Sequence, residues 1–163
     1  MFAIPLLVLS ACGETTKEEI ADVLLISQDN VAFPKEGGTA TISVDTGALH
    51  IEMNGDGCGI YNMGSADSAY VNINNVPELS IEKADSAIET AYSGTVNVRN
   101  SKLRIANGRY AIRNSGGTIN MENADVTAAV RGSSVGYTDA AVHTGTLQVK
   151  GSSTVDMTAT YGT

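Results

Sequence analysis

The sequence predicts an all-β protein wound as a right-handed parallel β-helix, a single-stranded solenoid of about four to five coils with a short N-terminal β cap. Three observations predict it. Near-copies of one phrase recur along the chain, as in "GTVNVRNS" and, 23 residues later, "GTINMENA". Each copied segment is three to five residues long, alternates apolar with polar, and is bounded by Gly, Asn, Asp or Ser, which is the pattern of a short strand between turns. No intervening segment carries a helical period.

Three strand families alternate in a fixed order. The first comprises "GTATISVD", "SAYVNINN", "SGTVNVRN", "GGTINMEN" and "TGTLQVKG", centred on Ser43, Asn72, Asn97, Asn120 and Gln148. The second comprises "ALHIEM", "ELSIEK", "KLRIAN", "DVTAAV" and "STVDMT". The third is "CGIYN", "SAIET", "YAIRN" and "AAVHT", anchored on Ile60, Ile88, Ile112 and Val142. One coil cannot bury its own apolar side chains, but stacked coils build a continuous core. Val71/Ile73, Val96/Val98, Ile119/Met121 and Leu147/Val149 are expected to face inward, with Leu49/Ile51, Leu79/Ile81 and Leu103/Ile105 on a second wall. Residues 131–139, "RGSSVGYTD", break the rhythm and read as a loop projecting from the stack.

The centres of the first family form an outward column of amides: Asn72, Asn97, Asn120 and Gln148, with Ser43 at its start. Stacked amides either bond to one another as a stabilising ladder or present an uncharged strip suited to sugar hydroxyls. Beside them, Asn74, Arg99, Glu122 and Lys150 read as cross-strand charge pairing. The third family gives the column Tyr61, Glu89, Arg113 and His143, with Glu89 and Arg113 as stacked neighbours. His143 has no second histidine in the repeat register, which argues against a zinc or triad role. At the corner before that strand stand Asp56, Asp85, Arg109 and Asp139, where Arg109 between acids favours a salt bridge over a cation site. "NGDGCGI" leaves Asn54 and Asp56 as the candidate Ca²⁺ ligands, through side-chain oxygens. Otherwise no cofactor is expected, and Cys58 is expected to point inward as a small core residue.

Composition narrows the function. Hydrophobic residues make up 42% of the 163, aromatics 5%, and there is no Trp, so the core must be Val, Ile, Leu, Ala and Met. The formal charge of −8 argues against a nucleic-acid partner, whose phosphates would be repelled. Two cysteines, Cys12 and Cys58, leave a single thiol if the first is modified, so stability has to come from packing.

"MFAIPLLVLSAC" is an apolar run ending in Leu9-Ser10-Ala11-Cys12, and it resembles the lipobox of bacterial lipoproteins. The resemblance implies a signal peptide over residues 1–11, lipidation of Cys12 and an acidic tether over 12–22. It departs from that pattern in having no Lys or Arg before the apolar run, so Met1 reads as internal to a longer signal. Acidic residues soon after the cysteine are similar to surface-export signals of Bacteroidetes lipoproteins. Residues 23–46, with "FPKEGGTATISV", resemble the opening strands of BACON domains and read here as N-terminal cap strands. The β-helix proper is assigned to 47–163, and its end at "TATYGT" without an evident polar cap reads as a natural fragment or a truncated gene.

Units such as "GDGCGI", "LSIEKADSAI" and "SGTVNV", over residues 47–158, resemble the repeats of β-helical carbohydrate-binding proteins. That resemblance implies polysaccharide binding, sometimes with Ca²⁺, and no hydrolysis; the amide column Asn72, Asn97, Asn120 and Gln148 is the candidate contact surface, in a protein that the lipobox resemblance ties to the outer membrane through its lipid alone. No group of three carboxylates on one face emerges, so no catalytic residue is assigned and the protein is expected not to be an enzyme. Two alternatives stay open: a structural or protein-contacting surface lipoprotein, and a fragment of a β-helix polysaccharide lyase or hydrolase.

Overall fold

The computed structural model describes residues 16–20, 23–27, 39–42, 48–53, 55, 57–62, 69–90, 92–132 and 140–161. These are strands and turns, with no helix among the described residues. The expected signal segment, Cys12, Ser43, Asn54, Asp56 and residues 133–139 of the expected 131–139 loop lie outside them, whereas Arg131 and Gly132 are the last two residues of a strand and not of a loop.

The strands fall into three sheets. One holds, in spatial order, β1 (Thr16–Ile20), β2 (Val23–Ser27), β4 (Ala48–Glu52), β7 (Glu78–Glu82), β10 (Lys102–Asn107), β13 (Asp125–Gly132) and β16 (Thr154–Tyr161). The second holds β5 (Cys58–Asn62), β8 (Ser86–Thr90), β11 (Tyr110–Arg113) and β14 (Ala140–His143). The third holds β3 (Thr39–Ile42), β6 (Tyr70–Asn74), β9 (Thr95–Arg99), β12 (Thr118–Glu122) and β15 (Thr146–Lys150). Consecutive strands always belong to different sheets from β4 onward, so the chain winds around a common axis as a parallel β-solenoid. From β5 to β14 it makes three full turns. Among the described residues every pairing is parallel except β1 with β2, which is antiparallel.

Register follows the repeat. Leu49, Leu79, Leu103, Val126 and Val155 stack, as do Ile60, Ile88, Ile112 and Val142. The third sheet stacks Val71, Val96, Ile119 and Leu147. Ile60, Val71, Leu79, Ile88, Val96 and Ile112 are fully buried. Shielding such a side chain stabilises the fold by about 1.5–3 kcal/mol, so each added coil strengthens its neighbours.

Register corrects the start of the amide column. Thr41, not Ser43, pairs with Asn72, because β3 enters the stack two residues earlier than the "TISV" alignment predicts. β2 also joins directly, Leu24 pairing with Leu49 and Ile26 with Ile51.

The corners explain how coils of unequal length stay aligned. Between the third and the first sheet the chain turns through Asn75, Asn100 and Asn123, all with φ between 47° and 55°. Asparagine tolerates this left-handed conformation better than other residues with a Cβ. Their amides also bond one another: Asn100 Nδ2 donates to Asn75 Oδ1 at 3.1 Å and Asn123 Nδ2 to Asn100 Oδ1 at 3.3 Å. At the same turn of the next coil stands Gly151, with φ 63°, where a Cβ would meet Asn123 Oδ1 at 2.2 Å. Just past this corner, Ser101 is buried; it accepts from Val76 N at 3.0 Å and donates to Arg99 O at 2.6 Å.

Candidate glycan-binding face

The outer face of the third sheet carries three columns. The middle one is the predicted amide column. Asn72, Asn97, Asn120 and Gln148 are register partners, and the first three are half-buried while Gln148 is exposed. Asn97 Nδ2 donates to Asn72 Oδ1 at 2.7 Å, and Asn120 Nδ2 donates to Asn97 Oδ1 at 2.9 Å. Within this ladder Asn97 uses one of its two N–H groups and one of its two acceptor lone pairs. The ladder repeats its amides at roughly the 4.7–4.9 Å spacing of paired strands.

The second column is made by the first residue of each strand, Tyr70, Thr95, Thr118 and Thr146. It lines the amides with hydroxyl groups, and Tyr70 is 39% exposed. Tyr92, on the corner leading into Thr95, is 73% exposed, and its ring lies over the glycine turn of the next coil, 3.3 Å from where a Cβ on Gly116 would stand. Tyr70 therefore stands in the Asn72 coil, at one end of the ladder, and Tyr92 at the corner of the Asn97 and Asn120 coils. Aromatic rings with an apolar body and a polar tip suit a partner that is itself part apolar and part hydroxylated. The third column, Asn74, Arg99, Glu122 and Lys150, includes the predicted charge pairing, with Arg99 Nε 3.5 Å from Glu122 Oε2.

Sequence reasoning found the amides and missed the threonine column and Tyr92. The threonines had a signal, since Thr precedes the amide by two residues in "TVN", "TIN" and "TLQ". Tyr92 had none, because it lies on a corner outside the alternating pattern.

The other outward clusters are occupied by their own partners. Arg109 holds Asp85 through two bonds of 2.6 Å, the predicted salt-bridged corner; Asp56 and Asp139 lie outside the described residues. Asn54, the other candidate Ca²⁺ ligand, also lies outside them. Among the described residues no three His, Cys, Asp or Glu side chains are grouped to hold a metal ion. Arg113 Nη1 donates to Glu89 Oε1 at 3.0 Å, as the register requires, and Tyr110 stacks against His143 with centroids 6.1 Å apart.

Cys58 differs from expectation. It is buried but outside the apolar core, and its Sγ donates to Glu89 Oε2 at 3.2 Å. The pairing of β5 with β8 runs through Cys58, Ile60 and Tyr61 and skips Gly59, so strict alternation fails there and Cys58 lies beside the outer column. Burial, then the Glu89 carboxylate, pushes the thiol well above its usual range, which leaves it a poor nucleophile.

No family model, curated protein or solved structure matches the chain.

Proposed function

We propose that the chain is a non-catalytic polysaccharide-binding module of a lipid-anchored envelope protein, built as a right-handed β-helix with an N-terminal β cap. The observation that carries this reading is the flat ladder of Asn72, Asn97 and Asn120, bordered by Thr95 and Thr118 and flanked by Tyr70 and Tyr92. It offers uncharged donors and acceptors at a regular spacing, with tyrosine rings at its Asn72 end and at the corner beside its later rungs. In the neighbouring column Glu122 stands between Arg99 and Lys150, so charges of opposite sign alternate there instead of forming a one-sign patch. The right-handed winding rests on the strong general preference of parallel crossovers for that sense. Anchoring rests on Leu9-Ser10-Ala11-Cys12.

A screen of plant, host and microbial polysaccharides against the purified chain should find a ligand, and Tyr92→Ala combined with Asn97→Ala should weaken it at least about tenfold, near 1.4 kcal/mol. Tyr92→Ala alone should leave the urea midpoint unchanged. A chain that binds no glycan, or that binds one equally well after both changes, refutes the assignment. For the anchor, expression behind a lipoprotein signal should give palmitate incorporation that Cys12→Ala abolishes; an unlabelled wild type counts against it.

A further inference from the structure

The outer face of the seven-stranded sheet carries a notch, apart from the amide ladder. One outward column of that sheet runs Glu52, Glu82, Ala106, Ala129 and Thr158 in register. After two glutamates it drops to the exposed methyl groups of two alanines. Arg104, in the adjacent column, could cover them, but its guanidinium is tied elsewhere. Nη2 donates to Asp125 Oδ2 at 2.6 Å and Nη1 to Thr127 Oγ1 at 3.1 Å. A cavity of about 100 Å³ is left, lined by Glu82, Arg104, Ile105, Ala106 and Thr127. Glu82 sets its charge. Six other carboxylates each hold a Lys or Arg, whereas Glu82 is half-buried and holds neither among the described residues. Asp125 neutralises Arg104, which leaves Glu82 as the uncompensated charge of the lining.

We infer that this notch receives the ammonium tip of a lysine side chain presented by a protein partner. Its volume of about 100 Å³ is well below the roughly 300–1,000 Å³ of sites that enclose a small-molecule ligand. It therefore admits the end of a side chain and not a sugar ring. An ammonium carries three donors and no acceptor. The Glu82 carboxylate takes one of them. Thr127 Oγ1 accepts from Arg104 and keeps a second lone pair for another. The apolar stem of the lysine lies along the methyl groups of Ala106 and Ala129 while its charged end stays at the acid. A chain of formal charge −8 also attracts a basic partner at long range. The inference does not depend on glycan binding, because the amide ladder and the notch lie on different sheets.

In NMR titrations of the purified chain, Nα-acetyl-lysine methylamide should shift the methyl signals of Ala106, Ala129 and Thr127, saturating in the millimolar range. Nα-acetyl-norleucine methylamide keeps the stem and lacks the ammonium, and should leave those signals unmoved at the same concentrations. Glu82→Gln should weaken the lysine probe at least about tenfold. Ala106→Leu fills the notch, leaves every charge in place and should weaken it by the same factor. Glucosamine tests an amine borne on a sugar ring, and should bind at least about tenfold more weakly than the lysine probe. A lysine probe that moves none of the three signals overturns the inference, and so does equal binding of the norleucine or glucosamine probe. Full binding to Ala106→Leu overturns it too, because Glu82 would then act as an open surface charge and not as the end of a notch.

Discussion

Ile112→Asp is expected to unfold the middle of the solenoid at urea concentrations where the parent is fully native. Ile112 is fully buried, with Ile88 below and Val142 above it. A carboxylate there has no cation within the stack and loses about 2–5 kcal/mol of aliphatic packing before its desolvation is counted. Arg113→Asp, one residue on, removes the 3.0 Å contact to Glu89 and sets two carboxylates side by side. Glu89 is only 16% exposed, so that change costs about 1–3 kcal/mol rather than the few tenths typical of an open surface pair. Val142→Asp should fall between the parent and Ile112→Asp, since Val142 is packed from one side only. Urea midpoints should place Ile112→Asp lowest. Equal midpoints for Ile112→Asp and Arg113→Asp would reverse the inward and outward assignment of the second sheet.

Gly117→Ala is expected to be as damaging, for a different reason. A Cβ on Gly117 would stand 1.9 Å from the carbonyl oxygen of Gly94 in the coil below, and 2.9 Å from Asn114 Nδ2. That oxygen accepts from Thr118 N at 3.0 Å and from Asn114 Nδ2 at 3.1 Å. The methyl group can be accommodated only by moving backbone in two coils, which breaks both bonds and spreads the third sheet. Overpacking of this severity costs more than about 3 kcal/mol. The adjacent Gly116→Ala is the control: its Cβ would approach Tyr92 O at 3.2 Å and the exposed Tyr92 ring at 3.3 Å, so the ring can swing aside and the carbonyl, which accepts from Gly116 N at 2.7 Å, need shift only slightly. Thermal melts should show Gly117→Ala strongly destabilised and Gly116→Ala within a few degrees of the parent. Similar losses at both positions would contradict the close approach of the two coils at Gly94.

Much of this architecture was legible because a strand's alternation and a coil's spacing are independent constraints. Ile60, Ile88, Ile112 and Val142 satisfy both, and they stack as read. The amides from Asn72 to Gln148 satisfy both as well. Where only one constraint acts, the reading drifts. Shifting "TATISVD" by two residues leaves every side chain on the same face, so the apolar pattern could not choose Thr41 over Ser43 as the partner of Asn72. Cys58 was misassigned because alternation was carried through Gly59, where the pairing is interrupted. The asparagine ladder through Asn75, Asn100 and Asn123 was present as the last Asn of "NINN", "VRN" and "MEN". It went unread because corner residues obey backbone geometry, not hydrophobic period.

Those corners have a further consequence for how such a molecule can change over generations. Successive strands of the third sheet remain in register although 25, 23 and 28 residues separate them from Asn72 through Gln148, so the turns absorb length while the walls do not. Loss or gain of a few residues at a corner is therefore nearly silent, whereas a single-residue slip within a strand inverts a wall. The natural unit of inheritance is the whole coil, beginning and ending at equivalent points such as Thr95 and Thr118. Duplicating it would extend the amide strip by one rung and make the length of that strip a matter of copy number.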